Sequence, residues 1–175
     1  MLKVIDGGFE PVRSTKYSAC VDLFAREDVT IVVGCTEIVN LGVKIDLDKL
    51  YENWFHKTEH RHRDRKEAWN TFLESHKLDL HIRSSLSAKK GLIIANGTGQ
   101  IDLDYPDEIG IILHNPIKAF KLNELINKDM WEEVDVFIKK GDKVAQITLV
   151  EHKSYLMGYE SEEERTGGYG STGEK

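Results

Sequence analysis

The sequence predicts a mainly β fold that is interrupted by a helical insertion. Two runs of β-branched residues, 29–33 and 38–45, show the alternation and flanking turn residues that are typical of strands. Residues 49–77 differ, because they contain neither glycine nor proline and place large apolar side chains at helical spacing. At 175 residues the chain is long enough to bury one core. We therefore expect one domain over residues 1–158 and a Gly-rich arm over residues 159–175.

Composition and charge narrow the class of protein. With a net charge of −6 the chain lacks the basic surface that general nucleic-acid binding requires, although it can still carry a local basic patch. The two cysteines, Cys20 and Cys35, do not have metal-ligand spacing and suit a reducing compartment. No apolar run approaches membrane-spanning length, and the first residues lack the regions of a signal peptide. We expect a cytoplasmic protein with no membrane partner.

The other strands are predicted from short apolar or alternating runs that lie between turns. Residues 2–5 begin a strand, which Gly7 and Gly8 end. Asp48 is expected to cap the N-terminus of the insertion, which forms either two short helices or one bent helix. Further strands are expected at residues 19–24, 78–82, 92–95, 109–113, 134–138 and 143–150.

Two carboxylates, Asp102 and Asp104, mark the segment between the predicted strands 92–95 and 109–113. The simplest interpretation is a hairpin in which the first strand, a Gly-rich turn, the carboxylates and the second strand follow one another. Alternation along a strand places both carboxylates on one face. Because like charges repel, such a pair indicates a nearby cation or proton. A solvated loop with incidental acids is the alternative.

The middle of the insertion is basic and contains several histidines. His56, His60 and in part Arg63 would share one helix face, which suggests a metal site. Neither a cysteine nor a converging carboxylate joins them, so a solvated basic helix is the favoured interpretation. A phosphate-bearing or acidic partner is a weaker hypothesis for the same patch.

The last residues, 165–173, place an arginine and an aromatic ring among glycines, serines and threonines. Such a tail is usually disordered. Glycines, however, let the backbone approach an anion, Arg165 supplies a forked donor, and Tyr169 supplies a stacking face. An arm that orders over a nucleotide is therefore the functional alternative.

Side chains suited to a nucleoside triphosphate occur at several predicted strand ends. Such a site needs cationic donors, hydroxyls, amides and usually a divalent ion held by carboxylate. Each candidate also has a structural explanation, such as a turn former, a salt-bridge partner or ordinary packing. The candidates are Asp22, Arg83, Ser84, Ser85, Asp102, Gln146 and Arg165, with Tyr105 for a sugar and Tyr169 for a base.

Five stretches together resemble the motifs of the trimeric deoxyuridine triphosphatase (dUTPase) family. They are A-x-x-D-L, R-S-S-L, G-x-I-D-x-D-Y, G-D-x-x-A-Q and the Arg-led Gly-rich tail, and they follow the family's order across residues 19–173. The resemblance implies a jelly-roll-like β-barrel that forms a homotrimer with sites at the subunit interfaces. It also implies hydrolysis of dUTP to dUMP and pyrophosphate, with Mg²⁺ on the triphosphate.

The resemblance also assigns roles to individual positions. Asp102 matches the acid that deprotonates the attacking water, and Tyr105 matches the ring that leaves no room for a 2′-hydroxyl. Asp22 matches the acid that holds Mg²⁺ through water. The implied substrate-binding set is Arg83, Ser84, Ser85, Asn96, Gly99, Ile101, Tyr105, Gln146, Arg165, Tyr169, Gly170 and Ser171.

The chain departs from the family pattern in four places. Cys20 stands where the first motif usually has glycine, and Thr166 replaces a glycine of the last motif. The aromatic ring of the arm follows its arginine by four residues, where the family usually has five. The insertion at 49–77 and the long connection at 116–133 are additional to the common core.

Two other functions fit parts of the sequence. A dCTP deaminase resembles the same fold and shares the R-S-S and A-Q stretches, but it does not typically have I-D-x-D-Y. It also needs a glutamate base inside a strand, whereas Glu132 and Glu133 precede one. A protein-binding regulator is the other alternative, because Trp54 and Trp69 accompany the basic residues of the 49–77 insertion.

Overall fold

The computed structural model describes residues 1–57, 64–116 and 135–159. Two short helical turns, Leu86–Lys90 and Ser154–Met157, accompany the regular elements. The strands are β1 (Leu2–Val4), β2 (Val21–Phe24), β3 (Val29–Ile31), β4 (Thr36–Asn40), β5 (Val43–Ile45), β6 (His76–Ile82), β7 (Ile93–Ile94), β8 (Gly99–Asp102), β9 (Gly110–His114), β10 (Val136–Ile138) and β11 (Lys143–Glu151), and the helices are α1 (Leu47–Lys57) and α2 (Arg65–Ser75).

The strands form antiparallel sheets around one core, as the predicted mainly β fold requires. The largest described sheet has the order β2-β11-β6-β8, and a second sheet has the order β4-β9-β7. The strands β1 and β5 form a separate pair, as do β3 and β10. No helix within the described residues is long and apolar enough to cross a membrane.

The four-stranded sheet has one apolar face and one polar face. Leu23, Leu80 and Ile147 lie on the apolar face and are at most 1% exposed. Because side chains alternate along a strand, their neighbours point the other way. The polar face therefore carries Asp22 and Gln146, which are paired directly across β2 and β11.

The predicted run 38–45 is two strands, because the backbone turns sharply between β4 and β5. Gly42 has a φ of +66°, a conformation that residues with a Cβ rarely adopt. A Cβ at Gly8 would also meet the carbonyl oxygen of Gly42 at 2.2 Å, so the two glycines allow a close backbone approach. Glu108 fixes this turn by accepting the Gly42 N–H at 2.7 Å and pairing with Arg26 at 3.0 Å.

The predicted hairpin is formed by β7 and β9, which pair antiparallel. The connection between them is more ordered than the sequence indicated, because it contains the strand β8, which pairs with β6. Asp102 and Asp104 are both exposed and Leu103 between them is buried, as predicted. The strand itself ends at Asp102, so Asp104 lies in the following turn.

The insertion consists of the two-helix alternative. The cap predicted at Asp48 is wrong: α1 begins at Leu47, and a carboxylate oxygen of Asp46 accepts the N–H of Lys49 at 2.9 Å. Trp54 and Trp69, expected to look exposed, are half-buried and pack against each other with ring centroids 5.4 Å apart. The predicted histidine face lies partly at residues 58–63, outside the described residues, and so do residues 117–133 of the connection predicted at 116–133.

Candidate active site

The first part of the site is a charged cluster around Asp22 at the end of the polar sheet face. Its Oδ2 accepts hydrogen bonds from the hydroxyl of Ser14 at 2.7 Å and from Nζ of Lys143 at 3.0 Å. Its Oδ1 lies 3.3 Å from Nε of Arg83. Asp22 is only 7% exposed, so these partners are what permits a carboxylate to remain charged there.

The surroundings of Asp22 lower its pKa. Burial acts in the opposite direction, because it disfavours the charged form. The hydrogen bonds from Ser14 and then Lys143, together with the charges of Arg83 and Lys143, outweigh that effect and hold the pKa below its usual value. The carboxylate is therefore ionised at neutral pH.

Strand pairing brings the predicted phosphate ligands to the same place. Gln146 is the cross-strand partner of Asp22, and the N–H of Arg83 donates to the carbonyl of Val144 at 3.1 Å. Ser84 and Ser85 follow on an exposed helical turn, which the buried side chain of Leu86 anchors. The arginine, the amide and the two hydroxyls thus surround one edge of the sheet.

The second part of the site is a cavity of about 240 Å³ beside β8. Four residues of the predicted nucleoside set line it, namely Asn96, Gly99, Ile101 and Tyr105. Tyr105 is only 8% exposed, so its position is fixed by packing. A Cβ at Gly99 would lie 3.1 Å from Cβ of Leu80, which explains why a residue without a side chain suits this wall.

Asp102 is exposed at the end of β8 and directly follows Ile101, which lines this cavity. The backbone carbonyl of Asp102 accepts the N–H of Tyr105 at 3.1 Å. This hydrogen bond closes a turn that fixes the backbone of Asp102 relative to that of Tyr105. The side chain is accessible to water and to a ligand, which a general base requires.

The two parts of the site are well separated within one chain. Asp22 pairs with Gln146 across β2 and β11, and Gln146 pairs with His81 across β11 and β6. Asp102 of β8 pairs with Lys77, which lies four residues before His81 on β6. At ordinary sheet dimensions, the three strand intervals between β2 and β8 span about 14 Å, and the four residues along β6 span about 13 Å. A single copy therefore does not bring Asp102 to the Asp22 cluster.

Four predicted site residues lie outside the described part of the chain. They are the arm residues Arg165, Tyr169, Gly170 and Ser171.

The sequence interpretation missed two residues of the site, Lys143 and Ser14, which are partners of Asp22. Lys143 had a detectable signal, because it lies in the same G-D-x-x-A-Q stretch as Gln146. Ser14 had none, since only the folding of the first loop brings it to β2.

The donor set at Asp22 fits a hydrated divalent cation. A carboxylate offers about four lone-pair positions, and the three contacts above leave one position on Oδ1. Magnesium keeps several of its waters when bound, so one such water can donate to that position. Within the described residues no group of three or more His, Cys, Asp or Glu side chains converges to ligate a metal directly.

An antiparallel β protein with a charged cluster, a cavity of about 240 Å³ and an exposed carboxylate has the parts that a nucleotide-hydrolysing enzyme needs. Comparison with known proteins identifies the kind. The chain is 30% identical over 169 residues to the deoxyuridine 5′-triphosphate nucleotidohydrolase of Rickettsia prowazekii, a match that covers 93% of this chain and 87% of the relative. It is 34% identical to the Corynebacterium glutamicum enzyme of the same name, with 93% and 86% covered. The chain belongs to the dUTPase family.

Solved structures agree on the fold. The dUTPase of Streptococcus mutans superposes with a TM-score of 0.55 at 21% identity, covering 86% of this chain and 94% of that one. The dUTPase of Staphylococcus bacteriophage 80alpha superposes with a TM-score of 0.60 at 21% identity, covering 100% and 94%. No model of a protein family matches the chain.

Proposed function

We propose that the protein hydrolyses dUTP to dUMP and pyrophosphate by attack of water on the α-phosphorus. The observation that carries this proposal is the exposed carboxylate of Asp102 beside the cavity that Tyr105 lines. The α-phosphate is the one nearest the sugar, so a base at the edge of a sugar-binding cavity is next to the phosphorus that reacts. Asp102 accepts a proton from the water as that water attacks.

The cavity selects the nucleoside. The ring of Tyr105 packs under the deoxyribose and leaves no space for a 2′-hydroxyl, because the tyrosine is held by the buried core around it. Asn96 lies at the exposed side of the cavity, where its amide can pair with uracil. Gly99 and Ile101 complete the wall.

The Asp22 cluster binds the phosphate chain. Arg83 and Gln146 donate to phosphate oxygens, and Ser84 and Ser85 add hydroxyl donors from the exposed turn. Magnesium, when bound, neutralises charge on the triphosphate. Asp22 holds the hydrated ion through water, and a dUTPase from phage phi11 is described with a structural Mg(II) ion.

The complete site forms between copies of the chain in a homotrimer. The separation of Asp102 from the Asp22 cluster within one chain supports this arrangement, because a neighbouring copy can supply the missing half. In the arm, Arg165 binds the γ-phosphate, Tyr169 stacks on uracil, and Gly170 and Ser171 let the backbone approach the nucleotide.

A substrate panel tests the proposal. Release of pyrophosphate is measured with dUTP, UTP, dTTP and dCTP, each with Mg²⁺ and with a chelator. We expect dUTP to be hydrolysed at least tenfold faster than the others, and the chelator to suppress the rate. Ammonia from dCTP without pyrophosphate from dUTP would instead support the deaminase of the same fold.

A second function, protein binding through the 49–77 insertion, is favoured by the shape of α1 and α2. Trp54 and Phe72, together with the acidic residues Asp64 and Glu67, line an open groove of about 590 Å³. The phage 80alpha dUTPase is described as controlling transfer of virulence genes by a G protein-like mechanism. That description concerns the phage protein alone.

The insertion can be removed at its structural boundaries. Because β6 begins at His76, the variant replaces residues 47–75 with a short Gly-Ser linker. We expect dUTP turnover to persist and interactions identified by cross-linking of the full-length protein to be lost. If every such interaction persists in the variant, the insertion is not a docking surface.

A further inference from the structure

His81 lies in the same row of cross-strand pairs as Gln146, a predicted phosphate ligand, and Asp22, the predicted metal ligand. The register pairs Asp22 with Gln146, and Gln146 in turn with His81. Directly opposed residues of an antiparallel sheet point to the same face. The row therefore presents a carboxylate, an amide and an imidazole side by side on the polar face.

Arg83 also belongs to this surface, because it lies two residues after His81 and its side chain reaches Asp22. At ordinary strand spacing the row from Asp22 to His81 spans about 10 Å, which is the scale of a triphosphate chain. The opposite face at this level is sealed by Leu80 and Leu23, so a ligand can approach only from the side of His81.

The imidazole of His81 has the properties of a ligand-binding donor. The side chain is half-buried, and within residues 1–57, 64–116 and 135–159 it makes no hydrogen bond or ion pair. An imidazole always carries at least one N–H. Around this row Arg83, Lys143 and Asp22 sum to a single positive charge against a polyanionic substrate. Asp79, two residues before His81 on the same face of β6, is paired with Lys77 at 3.0 Å.

We propose that His81 is a further substrate-binding residue, whose ring N–H donates to the pyrophosphate portion of the nucleotide. The inference rests on the proposed function, because it takes the Asp22 cluster as the phosphate site. Asp102 and the nucleoside cavity serve the α-phosphate end. The Asp22 cluster binds the rest of the phosphate chain, so His81, in the same row as Asp22 and Gln146, serves the β- and γ-phosphates.

The first test compares binding of α,β-imido-dUTP, dUMP and pyrophosphate to three variants. His81→Leu removes the donor, His81→Asn keeps an N–H near the same position, and His56→Leu on the exposed side of α1 is the matched control. We expect His81→Leu to weaken imido-dUTP and pyrophosphate by about tenfold, the effect of one charge-assisted hydrogen bond. Binding of dUMP should change less than twofold, and His81→Asn should recover part of the loss.

An equal loss of affinity for dUMP and for pyrophosphate would indicate general damage and would overturn the proposal, as would unchanged binding in His81→Leu.

A second measurement uses the unmodified protein, so it does not depend on how a variant folds. The NMR signal of His81, assigned by its loss in His81→Asn, should shift on addition of pyrophosphate and not of dUMP. No shift with pyrophosphate overturns the assignment even if dUTP is hydrolysed, whereas absence of dUTP hydrolysis refutes the proposed function itself.

Discussion

The guanidinium Nε of Arg83 lies 3.3 Å from Oδ1 of Asp22, so a predicted phosphate ligand and a predicted metal ligand are already paired. The sequence separates these residues by 61 positions, and the antiparallel register of β2, β11 and β6 brings them together. The pair organises the site in advance, because it fixes a donor that would otherwise lose side-chain entropy when the nucleotide binds.

The pairing of Asp22 predicts a specific dependence of stability on pH. Its folded-state pKa is below the unfolded value, so the paired carboxylate stabilises the fold above about pH 4, and this contribution is lost as pH falls through the folded pKa. We expect Asp22→Asn to lower the free energy of unfolding by about 1 kcal/mol at pH 7, since the cationic partners are about a third exposed and therefore screened.

Urea unfolding at pH 7, 5, 4 and 3 measures this difference. The difference in the free energy of unfolding between Asp22→Asn and the unmodified protein should be constant down to about pH 5 and should become smaller below pH 4. The exposed Asp6→Asn is the control and should show no such gap. A gap that widens at low pH would refute the assignment.

Gly99→Ala should weaken both nucleoside binding and stability. The new methyl group would lie 3.1 Å from Cβ of Leu80, so β8 or β6 must shift by a few tenths of an ångström at the wall of the cavity. We expect KM for dUTP to rise several-fold, with a loss of about 1 kcal/mol in the free energy of unfolding. Steady-state kinetics and denaturant melts give the two values, and an unchanged KM would show that Gly99 does not contact the nucleotide.

Tyr105 should determine the preference for a deoxyribose. Its hydroxyl donates a long hydrogen bond to the carbonyl of Glu108 at 3.4 Å, and Tyr105→Phe removes that hydroxyl while keeping the ring, so this variant should keep both the fold and the ratio of kcat/KM for dUTP over UTP. Tyr105→Leu shortens the side chain and opens space at the sugar, so the ratio should fall by about tenfold or more. If Tyr105→Leu retains the full ratio in a panel of both nucleotides, sugar selection depends on another group.

Removal of the arm should separate catalysis from folding. A protein that ends at residue 164 lacks Arg165 and Tyr169 but retains every strand described above. We expect kcat/KM for dUTP to fall by about 100-fold, while the thermal midpoint changes by no more than about 2 °C, because residues 165–175 include few apolar side chains that a core could bury. A large loss of thermal stability would instead make the arm part of the folded domain.

Local patterns were sufficient to predict most of the strands, whereas the grouping of the site residues was expected only from the resemblance of five stretches to one family. The alternation from Lys143 to Val150 predicted β11, and the absence of glycine and proline from 49–77 predicted its helices. Both signals are local, because side-chain periodicity reports which face of an element is buried.

Features that depend on distant contacts could not be predicted in this way. The strand β8 exists because β6 offers it an edge, and no pattern within residues 99–102 required that partner. The sharp turn at Gly42 depends on its contact with Gly8, 34 positions away. The role of Ser14 emerged only when its contact with Asp22 was known, since a serine in a loop does not by itself indicate a phosphate site. Lys143 lies in the G-D-x-x-A-Q stretch, but its contact with Asp22 depends on the pairing of β2 with β11.

The central claim is that Asp102 is the base that activates water against the α-phosphorus, and Asp102→Asn tests it most directly. The amide preserves the shape of the side chain and removes its basicity, so kcat for dUTP should fall by about 100-fold or more. The Kd for α,β-imido-dUTP should stay within about threefold of the unmodified protein, and the nearby exposed Asp107→Asn should retain normal turnover. Near-normal kcat in Asp102→Asn would contradict the account.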